Sequence, residues 1–116
     1  MSRLPLVVLV LLLAGCVQRN VIDSSLAQGE ATLTGKLVAV DTTPWAYDGN
    51  AVVQVAVPGH GIVAVHLPAR WNLCAAAPVP IEAFAIGDDV RLRGTVGDDG
   101  TVVVCGRPDH RIEAVE

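Results

Sequence analysis

The stretch Ile86-Gly87-Asp88-Asp89-Val90-Arg91-Leu92-Arg93-Gly94-Thr95-Val96 decides how the chain is read. From Val90 onward it alternates: Val90, Leu92, Gly94 and Val96 fall on one side, and Arg91, Arg93 and Thr95 on the other. A period of two with one apolar side marks a strand that buries one face and wets the other. Gly87-Asp88 ahead of it is turn chemistry. A glycine inside a strand marks a bulge, a sharp bend or a close backbone approach, and Gly94 sits inside this one.

The same rhythm extends upstream. Ala31 to Val40 is a first strand with Gly35 inside it, and Leu33, Leu37 and Ala39 take alternate positions. Val38 and Val40 make its other face apolar as well, which predicts burial on both sides over the second half. Asp48-Gly49-Asn50 is a turn signal. A second strand follows, with Ala51, Val53, Val55 and Val57 facing in and Val52, Gln54 and Ala56 facing out. Pro58-Gly59-His60-Gly61 turns the chain into a third strand, Ile62 to Leu67, with Val63, Val65 and Leu67 inward and His66 opposite. The rhythm then breaks. Ala69 to Ala77 is Ala-rich and reads as one or two helical turns ended by Pro78. Beyond Val96, Asp98-Asp99-Gly100 turns the chain into a fifth strand, Thr101 to Cys105. Arg107-Pro108-Asp109 bends it again before a short final strand, Arg111 to Val115.

The expected fold is therefore all-β: three strands, a short helix or irregular connector, then two strands. The "Gly-Asp, then Val-x-Leu-x-Gly-x-Val" pattern of Gly87 to Val96 resembles the fourth strand of many OB-fold domains. A glycine in the first strand and a connector after the third are also similar to that five-stranded barrel. The likeness covers roughly Glu30 to Val115 and implies a small OB-like β-barrel of the kind found in bacterial envelope lipoproteins.

Ahead of the domain, Arg3 is followed by an apolar run from Leu4 to Leu13, interrupted by Pro5. The layout is that of a secretory signal. It is shorter than the roughly 20 apolar residues a membrane span requires. The quartet Leu13-Ala14-Gly15-Cys16 resembles the lipobox of bacterial lipoproteins. The resemblance implies a diacylglyceryl group on the Cys16 sulfur, cleavage between Gly15 and Cys16, and acylation of the new amine. Val17, rather than Asp, follows the cysteine, which by the same resemblance points to the outer membrane, with the domain facing the periplasm. Residues 1–15 are thus read as a signal peptide, 16–29 as the lipidated cysteine with a flexible tether, and 30–116 as the barrel.

Eight Lys and Arg against twelve Asp and Glu give a net charge of −4, and loss of Arg3 with the leader makes it −5. Phosphate backbones are held largely by Lys and Arg releasing counterions, so nucleic acid is a poor partner. With Cys16 lipidated, Cys74 and Cys105 remain as an even pair suited to a structural disulfide in an oxidising compartment. The absence of Cys-x-x-Cys spacing argues against a redox pair.

No nucleophile elbow, phosphate-binding loop or dinucleotide fingerprint occurs, and no cofactor is implied. His60, His66 and His110 lack metal-ligand spacing and read as solvated or locally hydrogen-bonded; Cys105 with His110 is a weak metal alternative that competes with the disulfide. Asp88-Asp89 and Asp98-Asp99 flank turns, where aspartates cap backbone groups. Candidate ligand contacts are Trp45 and Tyr47, which an extended segment would project to one side beside the loop joining strands one and two. The alternative is that one or both close the barrel end. Arg91 and Arg93 on the outer face of strand four could meet an anionic partner or pair with the abundant aspartates.

The expectation is a non-enzymatic binding or structural module held to membrane lipid through Cys16, with an envelope protein or a glycan as partner. The alternatives are an oligonucleotide- or oligosaccharide-binding OB domain and a small metal or redox protein.

Overall fold

The computed structural model describes residues 26–115; the expected signal peptide, Cys16 and the expected tether up to residue 25 lie outside the described residues. Six strands form one sheet: β1 (Gly29–Asp41), β2 (Asn50–Val57), β3 (Gly61–Pro68), β4 (Asp89–Val96), β5 (Val102–Val103) and β6 (Arg111–Ala114). Neighbours run β1-β2-β3-β5-β4-β6, and β1 also pairs with β4. That last pairing closes β1, β2, β3, β5 and β4 into a five-stranded barrel, the OB-like architecture expected. Every pairing is antiparallel except β3 with β5, where Val65 faces Val102 and His66 faces Val103. β6 continues along the β4 edge that β5 began, with Leu92 opposite Ile112.

Period-two patterning placed the core. Ala51, Val53 and Val55 are fully buried, as are Val65, Leu67, Val90 and Leu92; Val96 is nearly so. Burying a Val or Leu side chain is worth about 1.5–3 kcal/mol. Strands this short therefore owe their stability to the shared interior rather than to their own ladders.

The two strand glycines are sites of close approach. A Cβ on Gly94 would lie 2.7 Å from the Val103 carbonyl oxygen and from Val102 Cγ1. A Cβ on Gly35 would press into the Ala56 carbonyl, where β1 bends away from β2 to follow β4 alone.

Two local expectations are corrected, and one is refined. Val38 is 37% exposed rather than buried. A bulge between Leu37 and Ala39 shifts the β1–β2 register there and leaves the extra residue facing solvent. Ala69 to Ala77 keeps the short helical connector expected, as 3₁₀ rather than α. It holds a single 3₁₀ turn, Trp71–Leu73, and a second turn, Ile81–Ala83, follows Pro80. The fifth strand is two residues long, because the backbone of Cys105 leaves β4 to serve the connector: its carbonyl accepts from both Ala75 and Ala76 N–H at 2.9 Å. At the other boundary, β1 begins at Gly29, and Leu26 is already packed, half-buried, against the core.

The connector is fastened at few points. Ala76, Val79 and Ile81 are buried, and Cys74 Sγ lies 2.02 Å from Cys105 Sγ, at disulfide distance. Closing the 31-residue separation between them stabilises the fold by about 3–4 kcal/mol in the chain-entropy model.

Candidate functional site

The loop between β1 and β2 carries the aromatic pair. Pro44 presets the backbone of its first turn, and Thr43–Tyr47 forms a 3₁₀ helix rather than an extended segment. Asp48 ends it in the left-handed conformation at φ 62°, and the Gly49 N–H returns to the Pro44 carbonyl at 2.8 Å. At three residues per turn, positions two apart point to different sides. The expected same-side pair is therefore split. Trp45 is half-buried against the core and its indole Nε1–H donates to the Leu67 carbonyl at 2.9 Å, closing this end of the barrel. Tyr47 is 82% exposed. Of the two, only Tyr47 presents its ring to a partner.

Arg91 and Arg93 sit on the outer face of β4 as expected, but each is engaged. Arg93 Nε donates to Asp109 Oδ2 at 2.8 Å, and its Nη1 donates to Thr32 Oγ1 at 2.8 Å. Arg91 lies 3.8 Å from Glu113, which also accepts from Arg111 at 3.1 Å. Arg107 reaches both Glu30 and Asp109. The acidic surplus of the chain thus neutralises this cationic face, and the arginines offer little to an external anion.

The outer face of β2 and β3 is weakly polar. Gln54 is exposed, Ile62 is 58% exposed, and Val52 and His66 are half-buried. His66 Nδ1 is 3.3 Å from Asn50 Nδ2. In OB-type barrels this face and the flanking loops carry ligands. Here it adjoins the loop that bears Tyr47. On the β1 side it borders an open groove of about 470 Å3 lined by Gly35, Lys36, Ala56, Val57, Pro58 and Ile62. Lys36 and Asp89 pair at 3.0 Å on its rim.

His110 is the residue that sequence reasoning understated. It is 2% exposed and is the one buried polar side chain among the described residues. The Cys105 N–H donates to its Nδ1 at 3.1 Å, and its Nε2 lies 2.7 Å from Glu30 Oε1. The hydroxyl of Thr95 donates to the other Glu30 oxygen. Hydrogen bonds from Thr95 and then His110, with help from the Arg107 charge, hold the Glu30 carboxyl below the ordinary glutamate range. The ring is fully engaged and sealed from solvent. It ties the start of β1 to the loop after β5. No group of three or more His, Cys, Asp or Glu that could hold a metal occurs among the described residues.

Three further aspartates cap turns. Asp88 accepts from the Ala85 N–H, Asp99 from the Thr101 N–H and Asp41 from the Thr43 N–H, each at 3.0 Å. His60 lies in the β2–β3 turn, its backbone N–H bonded to the Val57 carbonyl. No described helix is long and apolar enough to cross a membrane. Leu13, Ala14, Gly15 and Cys16 lie outside the described residues.

Comparison of the chain with protein-family models, with curated proteins and with solved structures yields no match.

Proposed function

We propose that this chain is a bacterial envelope lipoprotein. Its Cys16 is lipidated and held in the outer membrane, and its barrel acts in the periplasm as a non-enzymatic binding or structural module. One observation carries the reading: the Leu13-Ala14-Gly15-Cys16 quartet stands ahead of a closed β-barrel. The placement of the other two cysteines at bonding distance supports an oxidising compartment. Two or more acyl chains on Cys16 would anchor the domain firmly, where one would not.

The partner is an envelope protein or a glycan rather than a nucleic acid. Arg91 and Arg93 are consumed by internal ion pairs, whereas Tyr47 offers an uncommitted ring for stacking. Two experiments test the proposal. Cys16→Ser moves the protein from the membrane to the soluble fraction, and mass spectrometry of the mature wild type finds an acylated Cys16 at its amino terminus; an unmodified terminus ends the anchoring reading. Tyr47→Ala, compared with wild type in pull-downs from crosslinked envelopes, loses the partner while the barrel stays folded. An unchanged partner list removes Tyr47 from the site.

A further inference from the structure

One residue fastens two separate parts of the fold. Cys105 is bridged to Cys74 through its sulfur, and its carbonyl accepts from the Ala75 and Ala76 N–H groups, so these attachments all hold the connector. Its N–H serves a different element, donating to His110 Nδ1 at 3.1 Å. The far nitrogen of that ring lies 2.7 Å from Glu30 Oε1, and Thr95 donates to the other Glu30 oxygen. An unbroken path therefore runs from Cys74 in the connector, through Cys105 and His110, to Glu30 at the start of β1.

Between Cys105 and His110 the chain is a bend. Residues 105–110 belong to no strand, and residues 106–109 are exposed. The bridge pins the first residue of the bend, and the buried imidazole pins the last. Its other side-chain fastenings are ion pairs of Arg107 and Asp109 at the surface, where such pairs contribute little. Ordering a bend costs chain entropy, and a pin that closes alone bears all of that cost. When one pin already holds, the other closes on an ordered segment.

We propose that the Cys74–Cys105 bridge and the Glu30–His110 contact form one coupled, redox-sensitive latch. Opening the bridge loosens the start of β1, and opening the Glu30–His110 contact makes the bridge easier to reduce. An external dithiol supplies two electrons and two protons. Its own sulfurs join as a disulfide, the Cys74–Cys105 bond breaks, and each cysteine sulfur takes one proton as a thiol. Neither cysteine is buried, which leaves the bond open to a small dithiol. After reduction the connector keeps its buried Ala76, Val79 and Ile81, so the barrel stays closed while the bend gains freedom. Loss of the Cys105 N–H then leaves His110 Nδ1 without a partner in a site 2% exposed, which is unfavourable until the ring and Glu30 rearrange. Glu30 follows Gly29, the first residue of β1, and half-buried Leu26 packs just ahead of it. The redox state of the bridge is thus transmitted to the point where the chain enters the barrel. Linkage makes the coupling the same factor in both directions.

Redox titration of the wild-type full chain in dithiothreitol buffers, with alkylation and mass spectrometry of the Cys74 and Cys105 peptides, measures the equilibrium constant for reduction. Glu30→Ala should raise that constant at least fivefold, the lower end of ordinary coupling. That is a shift of about 20 mV toward easier reduction. Thr95→Val takes one hydrogen bond from the carboxylate at an exposed position, and should move the constant the same way by less. Val55→Ala is a core change on β2, which contributes no group to the path; it weakens both redox states alike and should leave the constant unchanged. Hydrogen exchange reads the opposite direction. On reduction of wild type, exchange should rise at least fivefold more at Cys105, His110 and Ala31 than at Val53 and Val55 of β2. A constant that both Glu30→Ala and Thr95→Val leave at the wild-type value overturns the proposal. So does an equal shift in Val55→Ala, or a reduced chain in which Ala31 gains no more exchange than Val53 and Val55.

Discussion

Strand β4 and the connector that precedes it are neighbours in sequence, yet they are held by different means. β4 touches β1 along one edge and β5 and β6 along the other, with Val90, Leu92, Gly94 and Val96 buried beneath it. The connector from Ala69 to Ile86 has no ladder. It relies on two 3₁₀ turns, three buried apolar residues and the Cys74–Cys105 bridge. Redundant contacts make β4 tolerant of losing any one outward partner and intolerant of a change in its backbone spacing. The connector has the opposite character: its geometry is loose, but few of its fasteners can be spared.

The sharpest way to break this contrast is Gly94→Val. Its new Cβ meets the Val103 carbonyl and Val102 at 2.7 Å, and backbone cannot move aside without opening the barrel. The expected loss exceeds about 4 kcal/mol, read as failure to give a cooperative unfolding transition. A variant that melts near wild type would show that β4 and β5 are not in contact as described.

Next in size is Cys74→Ala. It should cost about 3–4 kcal/mol, a fall in Tm on the order of 15–25 °C, while the β-sheet circular dichroism survives at low temperature. Reducing wild type with a thiol should reproduce the shift. If hydrogen exchange then accelerates across β2 and β3 as much as in the connector, the two regions are one cooperative unit and the distinction fails.

The smallest effect is graded and belongs to the barrel wall. Four carboxyls are held below their ordinary range: Glu30 by Thr95 and His110, Asp109 by Arg93, Asp41 by Thr43 and Asp99 by the Thr101 backbone. Depressed folded-state values mean that the unfolded chain takes up protons first as pH falls. Their stabilisation is therefore complete above the ordinary carboxyl range, about pH 4–5, and is lost as pH falls through the folded-state values. Denaturant midpoints measured from pH 7 to pH 2.5 should be level at first and then decline. Glu30→Gln should reduce the slope of that decline, and an identical slope would detach Glu30 from the network.

Where the chain obeys a period of two, its sequence could be read directly. The inward sets of β2, β3 and β4 are all buried, since a strand of a small barrel has one dry face and one wet one. The misreadings share a cause. Val38 reads as buried because the outer face of β1 turns apolar there, but it sits at the bulge beside β2 and faces solvent. Trp45 and Tyr47 were paired by assuming an extended segment; Pro44 and the left-handed Asp48 instead tighten it into a 3₁₀ turn. His110 carries no sequence signal of burial, because its partner Glu30 lies 80 residues away.

Local chemistry by itself determined the strand count, the order around the connector, the turn positions and the one pair of cysteines within the barrel. Those follow from side-chain alternation and backbone preferences, which act over a few residues. Tertiary structure alone decided which arginines stand in ion pairs, which aromatic ring faces solvent, where a histidine is sealed, and that half of β1 has a strand neighbour on one side only among the described residues. Each of these depends on groups brought together by barrel closure, and contacts across that closure leave no trace in the neighbouring sequence.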